Sequence, residues 1–183
     1  SWSTDSLYSN DFYKENPMAK RFVKKFSLDE NEQEILAEYC KSVNIDFAST
    51  PYSIDEANFL INKCKVPFIK VASMDINNYP YLRYLAKTES AIIISSGMAN
   101  FDEITKAIKL LESEGAKNVI LLHCISIYPA APELINLNHI RFLKESFPNI
   151  TIGYSDHTLG IEVGIASVAM GACVIEKHFT LDS

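Results

Sequence analysis

ITIGYSDHTLGIEVGIASVAMGACVIEKHF, residues 150–179, reads as one complete β-strand–helix–β-strand unit, at the roughly 30 residues such a unit takes. Ile150–Ser155 and Ala172–Phe179 are short, mostly apolar runs with β-branched residues, the composition of strands buried on both faces of a parallel sheet. The stretch between them, Thr158–Met170, has helical length and pattern. Each apolar run closes on polar residues, Ser155-Asp156-His157 and Lys177-His178.

The same unit repeats back along the chain. Further strands are predicted over Ile45–Thr50, Val66–Ser73, Ala91–Gly97 and Val119–Ile125. Helices are predicted over Leu28–Val43 with Ser27 as N-cap, and over Ser53–Lys65, which opens on the capping-box pattern Ser-Ile-Asp-Glu. Three more follow over Tyr79–Lys87, Asn100–Glu114 with Gly115 as its stop, and Asn138–Glu145. Alternating strands and helices imply right-handed crossovers and a parallel sheet. An open doubly wound sheet and a closed barrel both satisfy that. Two observations separate them. No Gly-rich phosphate loop of the nucleotide-binding kind is present. Polar residues gather at the C-terminal end of run after run (Ser49-Thr50, Lys70 and Ser73, Ser95-Ser96, Ser126 and Tyr128), the rim on which a (β/α)8 barrel builds its site. The expected fold is therefore an incomplete (β/α)8 barrel across residues 1–183, with about six of the eight units present and the first two strands preceding it.

Composition narrows the function. The chain has 183 residues, 48% hydrophobic and 22% charged, with a net charge of -6. No basic patch marks a nucleic-acid binder. No apolar run reaches the roughly 20 residues that span a bilayer, and SWSTDSLYSND at the start lacks the features of a signal peptide. The four cysteines show no CxxC spacing. Cys124 and Cys173, in apolar runs, are expected as reduced core thiols, which together imply a cytoplasmic protein.

The strand ends carry the candidate chemistry. His157 and His178 end adjacent strands, about 4.8 Å apart, so both imidazoles can reach one cation, leaving positions open for water and substrate. The alternative is two separate histidines, each with its own hydrogen bond. Lys70 interrupts the apolar strand FIKVAS. A buried lysine is costly unless it is paired or functional. It can hold a phosphate, form a Schiff base or reach out to solvent, and Lys177 poses the same question. Ser73, Ser95, Ser96, Ser126 and Ser155 add hydroxyls that suit a phosphate beside a lysine, or act only in turns and caps. His123 is expected in the core or wall, His139 at the surface, and Met74, Met98 and Met170 in packing roles.

FASTPYS (47–53), FIKVASMDINNYPYLRYLAK (68–87), IIISSGMANFDEI (92–104), LLHCISIYPAAPE (121–133), GYSDHTLGIE (153–162) and GACVIEKHFTLD (171–182) together resemble the sialic acid synthase family, which includes N-acetylneuraminate, legionaminate and pseudaminate synthases. The GYSDHTLG and IEKHFTLD pair is the most specific part, and residues 1–26 match only loosely. The resemblance implies a metal-assisted transferase of sialic acid biosynthesis that condenses phosphoenolpyruvate with the aldehyde of an acetamido sugar. It implies Mn2+ or Mg2+ held by His157 and His178. Phosphoenolpyruvate contacts are implied at Lys70, Ser73, Ser95 and Ser155, contacts to phosphoenolpyruvate and sugar at Ser126 and Tyr128, and an orienting role for Asp156 on His157 or a water. It also implies a homodimer. Ser126 stands where some members have Asn, and Ile125 where many have Thr. A Glu and a Lys from the family's first strands, and an antifreeze-like domain that lends an Arg to the partner subunit, are not among these 183 residues. The segment alone is therefore expected to be inactive. Two other readings stand beside this one: a Schiff-base aldolase with Lys70 as nucleophile, and a non-catalytic fragment that binds without turnover.

Overall fold

The computed structural model describes residues 27–181, together with residues 17, 18, 21 and 25. Residues 1–16, the greater part of the loosely matching N-terminal stretch, lie outside the described residues. Strands β1 (Phe68–Val71), β2 (Ala91–Ser95), β3 (Val119–Cys124), β4 (Thr151–Asp156) and β5 (Ile175–Lys177) form one sheet. It is parallel throughout, in the order β1-β2-β3-β4-β5. A doubly wound sheet reverses its strand order at a switch point. This one never reverses, so each unit adds to the same side and the sheet is the arc of an incomplete (β/α)8 barrel.

Helices α1 (Glu30–Ser42), α2 (Ile54–Phe59), α3 (Tyr79–Ala86), α4 (Phe101–Ser113), α5 (Asn138–Ser146) and α6 (Glu162–Ala169) flank the strands. Local chemistry sets their ends. Asn100 caps α4 by accepting from the Glu103 amide at 3.0 Å, while Glu103 accepts from the Asn100 amide at 2.9 Å. Gly115, at φ +93°, takes the left-handed turn that follows. Ser53 caps α2 as expected, and the helix runs on into a π-helical turn, Leu60–Cys64. At α1 the cap is Asp29 and not Ser27: its carboxylate accepts from the Glu32 amide at 2.8 Å. A charged carboxylate at the positive end of a helix has both the hydrogen bond and the macrodipole in its favour.

Alternation along the strands divides the molecule. Ile69, Val71, Ile92, Ile94, Leu121, Ile152 and Tyr154 face the helices and form one apolar core with Leu82, Leu85, Ile104, Ile108, Leu111, Ile140 and Leu143. The other face carries Lys70, Ser95, Cys124 and Ser155.

Three expectations need correction. Ile45–Thr50 forms no strand. It is only half apolar, has one possible neighbour, β1, among the described residues, and leaves Ile45 63% exposed. Cys173 is exposed while Cys124 is buried, because Cys173 lies at the entrance to the edge strand. Met74 and Met98 are 63% and 67% exposed, on the turns after β1 and β2 and not in the core.

Candidate active site

Lys70 enters the inner face of β1 with its side chain only 12% exposed. Its Nζ donates to Ser95 Oγ on β2 at 2.7 Å and to the Val71 carbonyl at 3.0 Å. Glu176 Oε2, reaching across from β5, is 3.7 Å away. Burial pushes the Lys70 amine down from its ordinary pKa, and Glu176 opposes that shift. The second Glu176 oxygen accepts from Ser155 Oγ on β4 at 2.6 Å. A lysine, two serines and a carboxylate thus link opposite ends of the sheet across its concave face.

Ser73 and Ser126 lie at the same mouth, where Gly97 brings them together. The Gly97 amide donates to Ser73 Oγ at 3.1 Å. A Cβ at Gly97 would sit 2.5 Å from Ser126 Oγ and 2.9 Å from Cys124 Sγ, so only glycine leaves this floor intact. Accepting from the amide frees the Ser73 hydroxyl proton to donate to an anion. The residues open into a cavity of about 460 Å³ that Thr50, Tyr52, Met74, Met98 and Tyr128 also line.

His157 and His178 stand just past β4 and β5, with ring centroids 5.6 Å apart at 85°. The Tyr128 ring lies 4.0 Å from that of His157 and 5.5 Å from that of His178. His157 Nδ1 lies 2.7 Å from the Ile125 carbonyl, an acceptor only, so Nδ1 carries a proton and, in the neutral ring, the lone pair is on Nε2. Ser155 Oγ is 3.3 Å from Nε2, but its single proton is engaged by Glu176. The lone pair is therefore available, and an imidazole fixed through its other nitrogen is the usual setting of a metal-binding histidine. These two imidazoles are the side chains that could hold a divalent cation, with oxygens as its remaining ligands. Among the described residues no cluster of three or more His, Cys, Asp or Glu side chains could hold a metal by itself.

Asp156 is elsewhere. Fully buried, it faces the helix side of the sheet and accepts from Thr158 Oγ1 at 2.7 Å, the Thr158 amide at 2.9 Å and Lys177 Nζ at 2.7 Å. It makes no contact with the His157 ring, so it does not orient that ring directly. Strand alternation is the reason, since residues 155 and 157 share a face and 156 does not. Burial raises its pKa, but hydrogen bonds from Lys177 and Thr158 outweigh that and hold it below the ordinary carboxylate value. Lys177 is thereby accounted for outside the site. His123 is buried at the wall as expected, and His139 is half-buried against it, ring centroids 5.1 Å apart. Glu176 was not picked out from the sequence, although the same alternation places it on the face of His178.

Fold and site together place a buried lysine, hydrogen-bonded serines and a pair of histidines at the strand tips of a barrel-type sheet. A family model described as NeuB family matches residues 3–183, and the chain belongs to that family. An uncharacterized protein of Methanocaldococcus jannaschii is 47% identical over 97% of this chain and 52% of its own length. The N,N'-diacetyllegionaminic acid synthase of Campylobacter jejuni is 44% identical over 88% of this chain and 48% of its own length. Among solved structures, the N-acetylneuraminic acid synthetase of Leptospira borgpetersenii in complex with citrate superposes with a TM-score of 0.87 at 37% identity, covering 94% of this chain and 59% of that one. The chain spans about half the length of the curated relatives it matches.

Proposed function

We propose that the protein containing this segment condenses phosphoenolpyruvate with the open-chain aldehyde of an N-acetylmannosamine-like sugar, giving a nonulosonic acid and phosphate, with Mn2+ or Mg2+ at His157 and His178. One observation carries the reading: Lys70, Ser95, Ser155 and Glu176 form a connected polar cradle on the inner face, beside two histidine rings packed edge-on 5.6 Å apart.

The residues suit the chemistry. Lys70 with the hydroxyls of Ser73 and Ser95 holds the phosphate, which fixes orientation and offsets charge as it develops. A phosphate at Lys70 competes with Glu176 for the ammonium and leaves that carboxylate facing the substrate. When bound, a divalent cation supplies Lewis-acid polarisation of the aldehyde oxygen. The third carbon of phosphoenolpyruvate bonds to the aldehyde carbon as the carbonyl π bond breaks, and the aldehyde oxygen takes a proton from solvent water. Water then adds at the second carbon and gives its proton to Glu176. The hydroxyl left on that carbon passes its proton to the departing phosphate as the bond to the phosphate oxygen breaks, leaving the keto acid and inorganic phosphate. Tyr128, 63% exposed over His157, is placed to meet the acceptor sugar. A cytoplasmic homodimer belongs to the same proposal.

The test is phosphate release by the full-length protein across several acetamido sugars, with and without metal. Release that needs a sugar and a metal supports the reading; none with any sugar overturns it. The Schiff-base reading has one observation in its favour, the lowered Lys70 pKa. Against it, the Lys70 amine is engaged by Ser95, the Val71 carbonyl and Glu176.

A further inference from the structure

Asp156 and Lys177 form a partly buried ion pair on the face of the sheet away from the cavity, with side chains 0% and 28% exposed. They are also the last residues paired between β4 and β5, and the next residue on each strand is a candidate metal ligand. Ion pairs out of water seldom add net stability over apolar side chains of similar volume, while they do fix geometry. Lys177 Nζ donates to Asp156 at 2.7 Å and to the Thr158 carbonyl at 2.9 Å. It therefore grips the β4 turn on both sides of His157. His157 is fixed independently by the Ile125 carbonyl at 2.7 Å and by its own carbonyl, which accepts from the Ala130 amide at 2.9 Å. His178 is different: among the described residues its side chain meets the rings of Tyr128 and His157. Its placement is set through the backbone of Lys177.

We propose that Asp156 and Lys177 are positioning residues, a clip on the outer face that fixes the spacing of His157 and His178 on the inner face. The inference rests on the metal reading above. A merely structural pair would affect stability alone; a positioning pair affects metal affinity in the folded protein.

The experiment is calorimetric titration of Mn2+ into the full-length protein and into Asp156→Asn, Lys177→Met and Lys177→Arg variants, with melting temperatures for each. Ile94→Val, in the core of the same sheet, is the control for lost stability. The expected result is about 10–100-fold weaker Mn2+ binding for Asp156→Asn and Lys177→Met, the range for groups that orient metal ligands. Lys177→Arg should recover most of the affinity, and Ile94→Val should melt earlier with affinity unchanged. Should either single variant fail to fold, the neutral double variant Asp156→Asn, Lys177→Gln keeps a hydrogen bond and takes its place, with the same weakening expected. Folded variants that bind Mn2+ as tightly as the parent overturn the clip and leave the metal site standing. No Mn2+ binding by the parent overturns the metal site and the clip with it.

Discussion

Lys70 and Glu176 hold opposite charges on one concave face, and much of the proposed chemistry depends on which partner the lysine keeps. If Lys70 acts as a charge, borohydride added with substrate leaves it unmodified, and mass spectrometry of the peptide checks this. A reduced adduct on Lys70 would establish the aldolase instead. His123 gives a prediction from the opposite face. Burial, with a smaller contribution from His139, depresses its pKa to about 4, while in the unfolded chain it returns to about 6.5. The unfolded chain therefore binds the extra proton between those values. Stability should be level above pH 6.5, fall as pH drops toward 4, and level off below, by at most about 3 kcal/mol. Its Nε2 has no hydrogen-bond partner, so His123→Phe should flatten this slope in thermal melts; an unchanged slope would assign it to other groups. At this scale the sequence made Lys70, Ser155 and the histidines visible, because a polar residue in an apolar run stands out. Glu176 lay hidden in a charged triplet, Glu-Lys-His, where only the period of two separates the faces.

At the scale of elements, the caps at Ser53 and Asn100 were legible, while the one read at Ser27 falls on Asp29. Asn100 is the cap of its helix and Glu103 completes a capping box with it, and Asn100→Ala should cost about 1 kcal/mol in denaturant melts without touching the site. The strand expected at residues 45–50 was not legible, since an apolar run does not say whether a neighbour completes its ladder. Tyr52 and Thr50 still reach the cavity from that segment. Gly97 ties β2 to the site. With a Cβ 2.5 Å from Ser126 Oγ, Gly97→Ala should strain the floor by about 1–3 kcal/mol. The Michaelis constant for phosphoenolpyruvate should then rise by about 10-fold or more. Steady-state kinetics giving an unaltered constant would mean that Ser126 and Ser73 do not meet the substrate.

Across the whole molecule, barrel against open sheet was decided by where polar residues fall, and the unreversed strand order agrees. The spacing between opposite rims was not legible, because it depends on how strongly the sheet curves. Ile161, Ile165, Val168, Phe179 and Leu181 are 55–94% exposed beside the edge strand β5. Among the described residues β5 pairs on one side only, and a strand edge with apolar neighbours invites pairing, so the 183-residue segment alone should self-associate, visible as a concentration-dependent mass in light scattering. The central claim is that function belongs to the inner face of this sheet at its β4 and β5 tips. Mn2+ titration followed by its paramagnetic resonance signal tests that most directly, with His157→Ala, His178→Ala and His123→Ala variants of the full-length protein. His123 lies on the same sheet but on its outer face. The account predicts that the first two variants lose tight binding and the third retains it. Loss in His123→Ala with retention in His178→Ala would contradict it.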